Sequence, residues 1–189
     1  MLITTDAIVL SLQPHSDKAH LLHAYTRTGG RVNYMVYGLG KKKAAGVYSP
    51  LALVQLTADD RSIRNAQLSF VPRTTTLDPY KRTVALFLSE ILFHVLRHPM
   101  PDEPMFDAIQ QAIRLLDETD APQHFHVQFL IELAAQLGFA IPLDSPLRTL
   151  PQTRQERQKH LQQLCAYFAE HVETWRAPKS LDILMEVFD

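Results

Sequence analysis

The residues of this chain that could do chemistry are mostly cations and flat rings. Arg27, Arg31, Lys41, Lys42, Lys43, Arg61, Arg64 and Arg73 all fall at turns or strand ends of the first 80 positions, with Tyr34, Tyr37 and Tyr48 interleaved. Phosphates need positive charge and unpaired bases need stacking surfaces, so this mixture suits single-stranded nucleic acid. Its centre is Tyr25 to Gly46. There a Thr26-Arg27-Thr28-Gly29-Gly30 turn leads into a strand, Arg31 to Tyr37, and then into Gly38-Leu39-Gly40 and the lysine triplet. A strand opening into a glycine-loosened loop puts three ammonium groups at the rim of a sheet, where they can grip a phosphate backbone. The plainer alternative is a solubilising loop with solvated arginines. Tyr34 shares a face with Val32 and Val36 and reads as core; Tyr37 and Tyr48 fit either reading.

Other chemistry finds little support. His94 and His98 are spaced i, i+4 in an expected helix, which could bring two imidazoles to one metal. No HExxH pattern and no third ligand accompany them, so they read as packing or surface residues, and His124 and His126 point different ways. Gly38-x-Gly40 lacks the GxxxxGK[ST] spacing of a nucleotide-hydrolysing loop. There is no G-x-S-x-G elbow. Cys165 falls on an apolar helical stripe, where a thiol is inert packing. Asp59 and Asp60 are neighbours in a turn, with no cleft between them. We therefore expect no catalytic residues, no metal and no cofactor.

The elements that would hold these residues fall into two groups. Five strands are expected at 4–14, 20–26, 31–37, 51–57 and 67–73, from alternating apolar residues bounded by turn formers such as Asp59-Asp60-Arg61-Ser62. Five short strands within about 70 residues suggest a closed barrel of the oligonucleotide-binding (OB) type, since closure removes exposed edges. The period then changes. Asp78-Pro79 starts a helix striped by Val84, Phe87, Leu88, Ile91, Leu92 and Val95. Further helices start at Asp102 to Pro104, at Asp120 to Pro122, at the Thr153-x-x-Glu156 capping box and at Ser180, while Gly138 closes the third. The expected fold is α+β: an N-terminal OB-fold barrel over 1–76 and an all-α helical domain over 77–189.

Composition agrees with a globular chain of 189 residues, 46% apolar and 21% charged. The net charge of −1 hides an asymmetry: nine Lys/Arg face five Asp/Glu up to Asp78, and ten face fifteen from Pro79 onward. The first part is the better anion binder. One cysteine excludes an internal disulfide framework and fits a reducing compartment. No leader-like segment and no membrane-length apolar run is visible, so a cytoplasmic location is expected.

The chain resembles the RecO family of recombination mediators. The resemblance rests on Ala7-Ile-Val-Leu10, the Ser16-Asp17 turn, Tyr25-Thr-Arg-Thr-Gly-Gly-Arg31, Tyr37-Gly-Leu-Gly-Lys41 and Pro50-Leu51. In the helical part it rests on Phe87-Leu-Ser-Glu-Ile-Leu92, Phe129-Leu-Ile-Glu-Leu133, Leu137-Gly-Phe-Ala-Ile-Pro142 and Lys179-Ser-Leu-Asp-Ile-Leu184. It implies an OB barrel and a helical domain without catalytic residues. It also implies binding of single- and double-stranded DNA and annealing of complementary strands. A further implication is work with RecR to load RecA onto strands coated by single-strand-binding protein (SSB), whose acidic C-terminal tail the helical domain receives, at the nucleoid. The positions matching the family for DNA are Arg27, Arg31 and Lys41, with Lys42 and Lys43 following. Two features depart from the family. The four-cysteine zinc site of many relatives has no counterpart, and Leu143 to Pro151 stands where relatives carry tens more residues. The alternative from another class is an OB-fold protein-interaction scaffold that binds no DNA.

If Lys41, Lys42 and Lys43 each neutralise one phosphate of a single strand, replacing all three flattens the plot of log K against log salt by roughly 2, at about 0.7 per contact. Anisotropy titrations of a labelled oligonucleotide across salt measure this, and an unchanged slope removes the triplet from the interface.

Overall fold

The computed structural model describes residues 1–39 and 46–187. Five antiparallel-paired strands come first: β1 (Ile3–Ser16), β2 (Ala19–Thr26), β3 (Gly30–Tyr37), β4 (Leu53–Ala58) and β5 (Ile63–Leu68), in the order β3-β2-β1-β4-β5. β1 is long enough to serve two partners. Its first half pairs with β4, from Ile3↔Ala58 to Ile8↔Leu53, and the rest pairs with β2. A bulge between Val9 and Ser11 bends it between the two. The edges then meet. Met35 bridges Ser62 in parallel, and its N–H donates to the Arg61 carbonyl at 2.7 Å. A barrel running β1-β2-β3-β5-β4 and back to β1 is the OB-fold, as expected from the strand spacing.

The barrel buries both sides of parts of β1, β2 and β4. Ala7, Val9, Leu22, Ala24, Tyr34, Val36, Val54 and Leu56 fill its interior. Ile8, Leu10, Tyr25 and Leu53 point the other way and join a second core with the helices. That double burial explains why Ala7 to Leu10 is continuously apolar.

Two strands differ from the expected positions. The fourth begins at Leu53 and not at 51, because Leu51 has φ 59° and turns the chain while its N–H still donates to the Val9 carbonyl. The fifth lies at Ile63–Leu68 and not at 67–73. The Asp59 carboxylate accepts from Arg61 N, Ser62 N and the Ser62 hydroxyl, so the chain reverses at once and Ala58 already pairs with Ile63. Arg73 instead opens a short helix, α1 (Arg73–Leu77). No side chain of its own caps α1. Asp117, from a distant helix, accepts from Arg73 N and Thr75 N, and the buried Lys81 ammonium donates to Thr74 Oγ1 and the Asp117 carbonyl.

The helical body contains α2 (Pro79–Val95), α3 (Glu103–Glu118), α4 (Phe125–Gln136), α5 (Arg154–His171) and α6 (Ser180–Val187). Asp78 caps α2, Asp102 caps α3, and Thr153 with Glu156 form the reciprocal capping box of α5. A 3₁₀ turn, Pro122–His124, precedes α4, so that helix starts later than Pro122 suggests. Ser180 behaves differently from an isolated cap: its N–H and hydroxyl both donate to Glu90 on α2. Phe87, Leu88, Ile91 and Leu92 of α2 are fully buried at the centre, as the stripe predicted.

The barrel and the body meet tightly at the β2–β3 turn. Gly30 has φ 62°, and a Cβ there would lie 2.1 Å from the Met100 carbonyl oxygen. Alanine at this position meets both left-handed strain and rigid backbone, so Gly30→Ala is expected to lower stability by about 2 kcal/mol or more. A urea midpoint matching wild type would contradict that close approach. His126 is fully buried, edge-on to Phe87, and desolvation lowers its pKa to about 3. A histidine depressed in the fold gives its full stability above the unfolded value near 6.5, and that stability is lost as pH falls from there towards 3. We expect the urea midpoint to drop between pH 7 and 4.5, and to drop less in His126→Leu.

Candidate nucleic-acid interface

β3 organises the exposed side of the barrel. With Tyr34 and Val36 inside, the alternate residues Arg31, Asn33, Met35 and Tyr37 face outward. Tyr37 is 62% exposed, whereas Tyr48 is 7% exposed, packed with the barrel interior, and its hydroxyl pKa is raised by burial. Two turns are pinned against the end of β3. The Lys18 carbonyl accepts from Gly38 N at 3.3 Å, and the Arg61 carbonyl accepts from Met35 N at 2.7 Å. Lys18 and Arg61 are both exposed, so two cations and a tyrosine ring share one end of the barrel. Lys41, Lys42 and Lys43, next in the chain, lie outside the described residues. Lys18 was not singled out from sequence. The signal for it was the hairpin turn between two alternating strands.

Arg64 is also exposed on β5, but its Nε and Nη2 bind Asp59 Oδ2 at 2.9 and 2.5 Å. That carboxylate is held below the usual range by the backbone N–H groups of Arg61 and Ser62 and by Arg64, so it is ionised at any working pH. Arg73 is exposed at the start of α1, and its N–H donates to Asp117 of α3.

Arg27 and Arg31 are used within the fold. Arg27 pairs with Asp107 at 2.5 Å, sits 4.0 Å from Asp6 and lies over the Phe106 ring at 4.5 Å, joining barrel to α3. Arg31 Nη1 donates to the Phe93 and Leu96 carbonyls at 3.2 and 3.3 Å, and its guanidinium lies 4.4 Å from the Phe93 ring centre. It thus seals the C-terminus of α2, where unpaired carbonyls concentrate negative potential. Burial first, and then Arg97, lowers its pKa to about 10, so it stays charged.

α2 ends at Val95, so His98 lies in the segment beyond it, and the pair is not an i, i+4 pair on one helix. The His98 carbonyl accepts from Arg31 N. Among the described residues no group of three His, Cys, Asp or Glu could hold a metal. Cys165 is buried and its pKa is pushed up to about 12, which keeps it a thiol. Among the described residues no helix is long and apolar enough to cross a membrane.

A second concave surface separates the barrel from the body. A groove of about 890 Å³ is lined by Leu10 and Leu12 of β1, Leu86 and Phe93 of α2, and Arg176 and Lys179 near α6.

Comparison with known proteins agrees with this architecture. The family model described as "Recombination protein O N terminal" matches residues 1–80, and "Recombination protein O C terminal" matches residues 77–178. The chain is 33% identical over 148 residues to the DNA repair protein RecO of Phocaeicola vulgatus, covering 73% of this chain and 61% of that one. It is 34% identical over 155 residues to that of Bacteroides fragilis, covering 76% and 64%. With that of Christiangramia forsetii it shares 25% identity over 238 aligned positions that take in both chains whole. The chain thus spans about three fifths of the length of the first of these relatives. On the two family models, which run together from the first strand to the segment before α6, the chain belongs to the RecO family.

Proposed function

We propose that the chain is a non-enzymatic mediator of recombinational DNA repair. In this reading the barrel, 1–76, binds single- and double-stranded DNA and anneals complementary strands. The helical body, 77–189, holds protein partners, and with RecR the protein helps load RecA onto SSB-coated strands. The observation that carries the reading is the end of β3, where exposed Tyr37 stands between the Lys18 and Arg61 turns. In OB-folds this combination, the β2–β3 face with the first and last hairpin turns, is where oligonucleotides lie. Cations there hold the backbone while the ring accepts a base without regard to sequence. In the sequence the lysine triplet follows Tyr37 by a few positions. For the partner role, the groove beside α2 offers apolar walls and the cations Arg176 and Lys179, which suit the acidic C-terminal tail of SSB.

One observation favours the second reading, a scaffold that binds no DNA. Arg27, Arg31 and Arg64 are engaged within the fold, which leaves a modest free charge on the described part of the barrel.

Titration of a labelled oligo-dT strand separates the two. Replacing Lys18 and Arg61 by Ala is expected to flatten the salt slope by about 1.4, at about 0.7 per phosphate. Tyr37→Ala is expected to leave the slope intact and weaken binding by about 1–3 kcal/mol, the worth of one stacked base. Absence of binding by the wild type at low salt would favour the scaffold.

A further inference from the structure

One ring at the joint between barrel and body carries two guanidinium groups. Arg31 Cζ lies 4.4 Å and Arg97 Cζ 5.5 Å from the Phe93 ring centre, and His23 meets the same ring edge-on at 5.0 Å. Arg97 acts repulsively on the Arg31 charge, and the half-buried position of Arg31 leaves less water to screen the two. The helix end accounts for Arg31, through the Phe93 and Leu96 carbonyls. The same helix end accounts for Arg97 only in part. Its side chain is exposed, its Nε donates to the His94 carbonyl at 3.2 Å, and no ion pair to a carboxylate is recorded for it among the described residues. The nearest acid on α2, Glu90, is turned to Ser180. His23 accompanies the pair as a neutral group, since burial and both arginines lower its pKa, and its Nδ1 is bonded to Asn33 Oδ1 at 2.6 Å. Among the described residues the cluster therefore has two cations, one flat ring and no carboxylate within ion-pair distance, while Asp102 and Glu103 line the neighbouring cleft that Arg97 also lines.

The cluster also lies in line with the exposed end of β3. Arg31, Asn33, Met35 and Tyr37 alternate along one outward face, and six steps of about 3.3 Å set its two ends about 20 Å apart. That span is within the reach of the 4–16 nucleotides that such a barrel accommodates.

We propose that Arg97 of the helical body, backed by Arg31 of the barrel, is a phosphate-binding site, and that it holds a phosphate of the strand running along β3. The phosphate chemistry follows from two guanidinium groups on one ring that have no ion-paired carboxylate among the described residues. That its carrier is a polynucleotide rests on the function proposed above.

Three proteins are compared: wild type, Arg97→Ala and Arg97→Lys, with Lys18→Ala/Arg61→Ala as the reference for the other end. The first probe is labelled oligo-dT at several salt concentrations. The second is inorganic phosphate against chloride at equal ionic strength, read as a shift in melting temperature. Arg97→Ala is expected to flatten the salt slope by about 0.7 and Arg97→Lys to restore it. The urea midpoint should not move, because the side chain is exposed. Phosphate is expected to raise the melting temperature of the wild type more than that of Arg97→Ala. If Arg97→Ala matches wild type with both probes while Lys18→Ala/Arg61→Ala flattens the slope, this site is refuted and the barrel reading stands. If no oligo-dT binds but phosphate protection still depends on Arg97, the site is upheld as a small-anion site and the polynucleotide reading falls. Failure with both probes in every variant overturns the proposal.

Discussion

The Arg31 guanidinium, held by the last carbonyls of α2, is the interaction on which the arrangement of this protein depends. It is a half-buried cation bonded to carbonyl oxygens, with no carboxylate partner among the described ion pairs. A helix terminus can serve in that role because its unpaired carbonyls carry partial negative charge. The same two-residue stretch supplies the backbone contacts, with Arg31 N donating to His98 and Gly30 lying against Met100. Lysine would keep the charge but not the geometry, since a planar fork lies flat on Phe93 while reaching two carbonyls, and an ammonium does not.

With that joint in place, the barrel presents two different outer surfaces. On one, Ile8, Leu10, Tyr25 and Leu53 merge with Phe87, Leu88 and Phe106 into a shared core. On the other, the end of β3 stays polar and open between two turns. A barrel with a single hydrophobic interior could float free of its helices. This one cannot, and the cost of separating them is the apolar area of that shared wall.

Much of this was legible from sequence where the cause is local. The Thr153/Glu156 box, the Asp78-Pro79 start, the α2 stripe and the first three strands all formed as expected. What escaped depends on partners far away in the chain. Arg73–Leu77, with three threonines, looks like extended chain, and it is helical because Asp117 caps it from another helix. Ser180 carries the signature of a cap but is held by Glu90. The positive φ of Leu51 has no glycine to announce it. At the candidate interface, exposure of Tyr37 and burial of Tyr48 could not be told apart from residue type. The internal roles of Arg27 and Arg31 needed the position of α2 and α3, which no spacing reveals.

The dual-faced first strand has an evolutionary corollary. Because alternate residues of one strand serve two separate cores, a substitution at Ile8 or Leu10 is judged by the helices, while its neighbours Ala7 and Val9 are judged by the barrel. The two halves of the molecule are thus bound to change together. Neither half can be lent to another protein without a new lining for the surface it leaves bare.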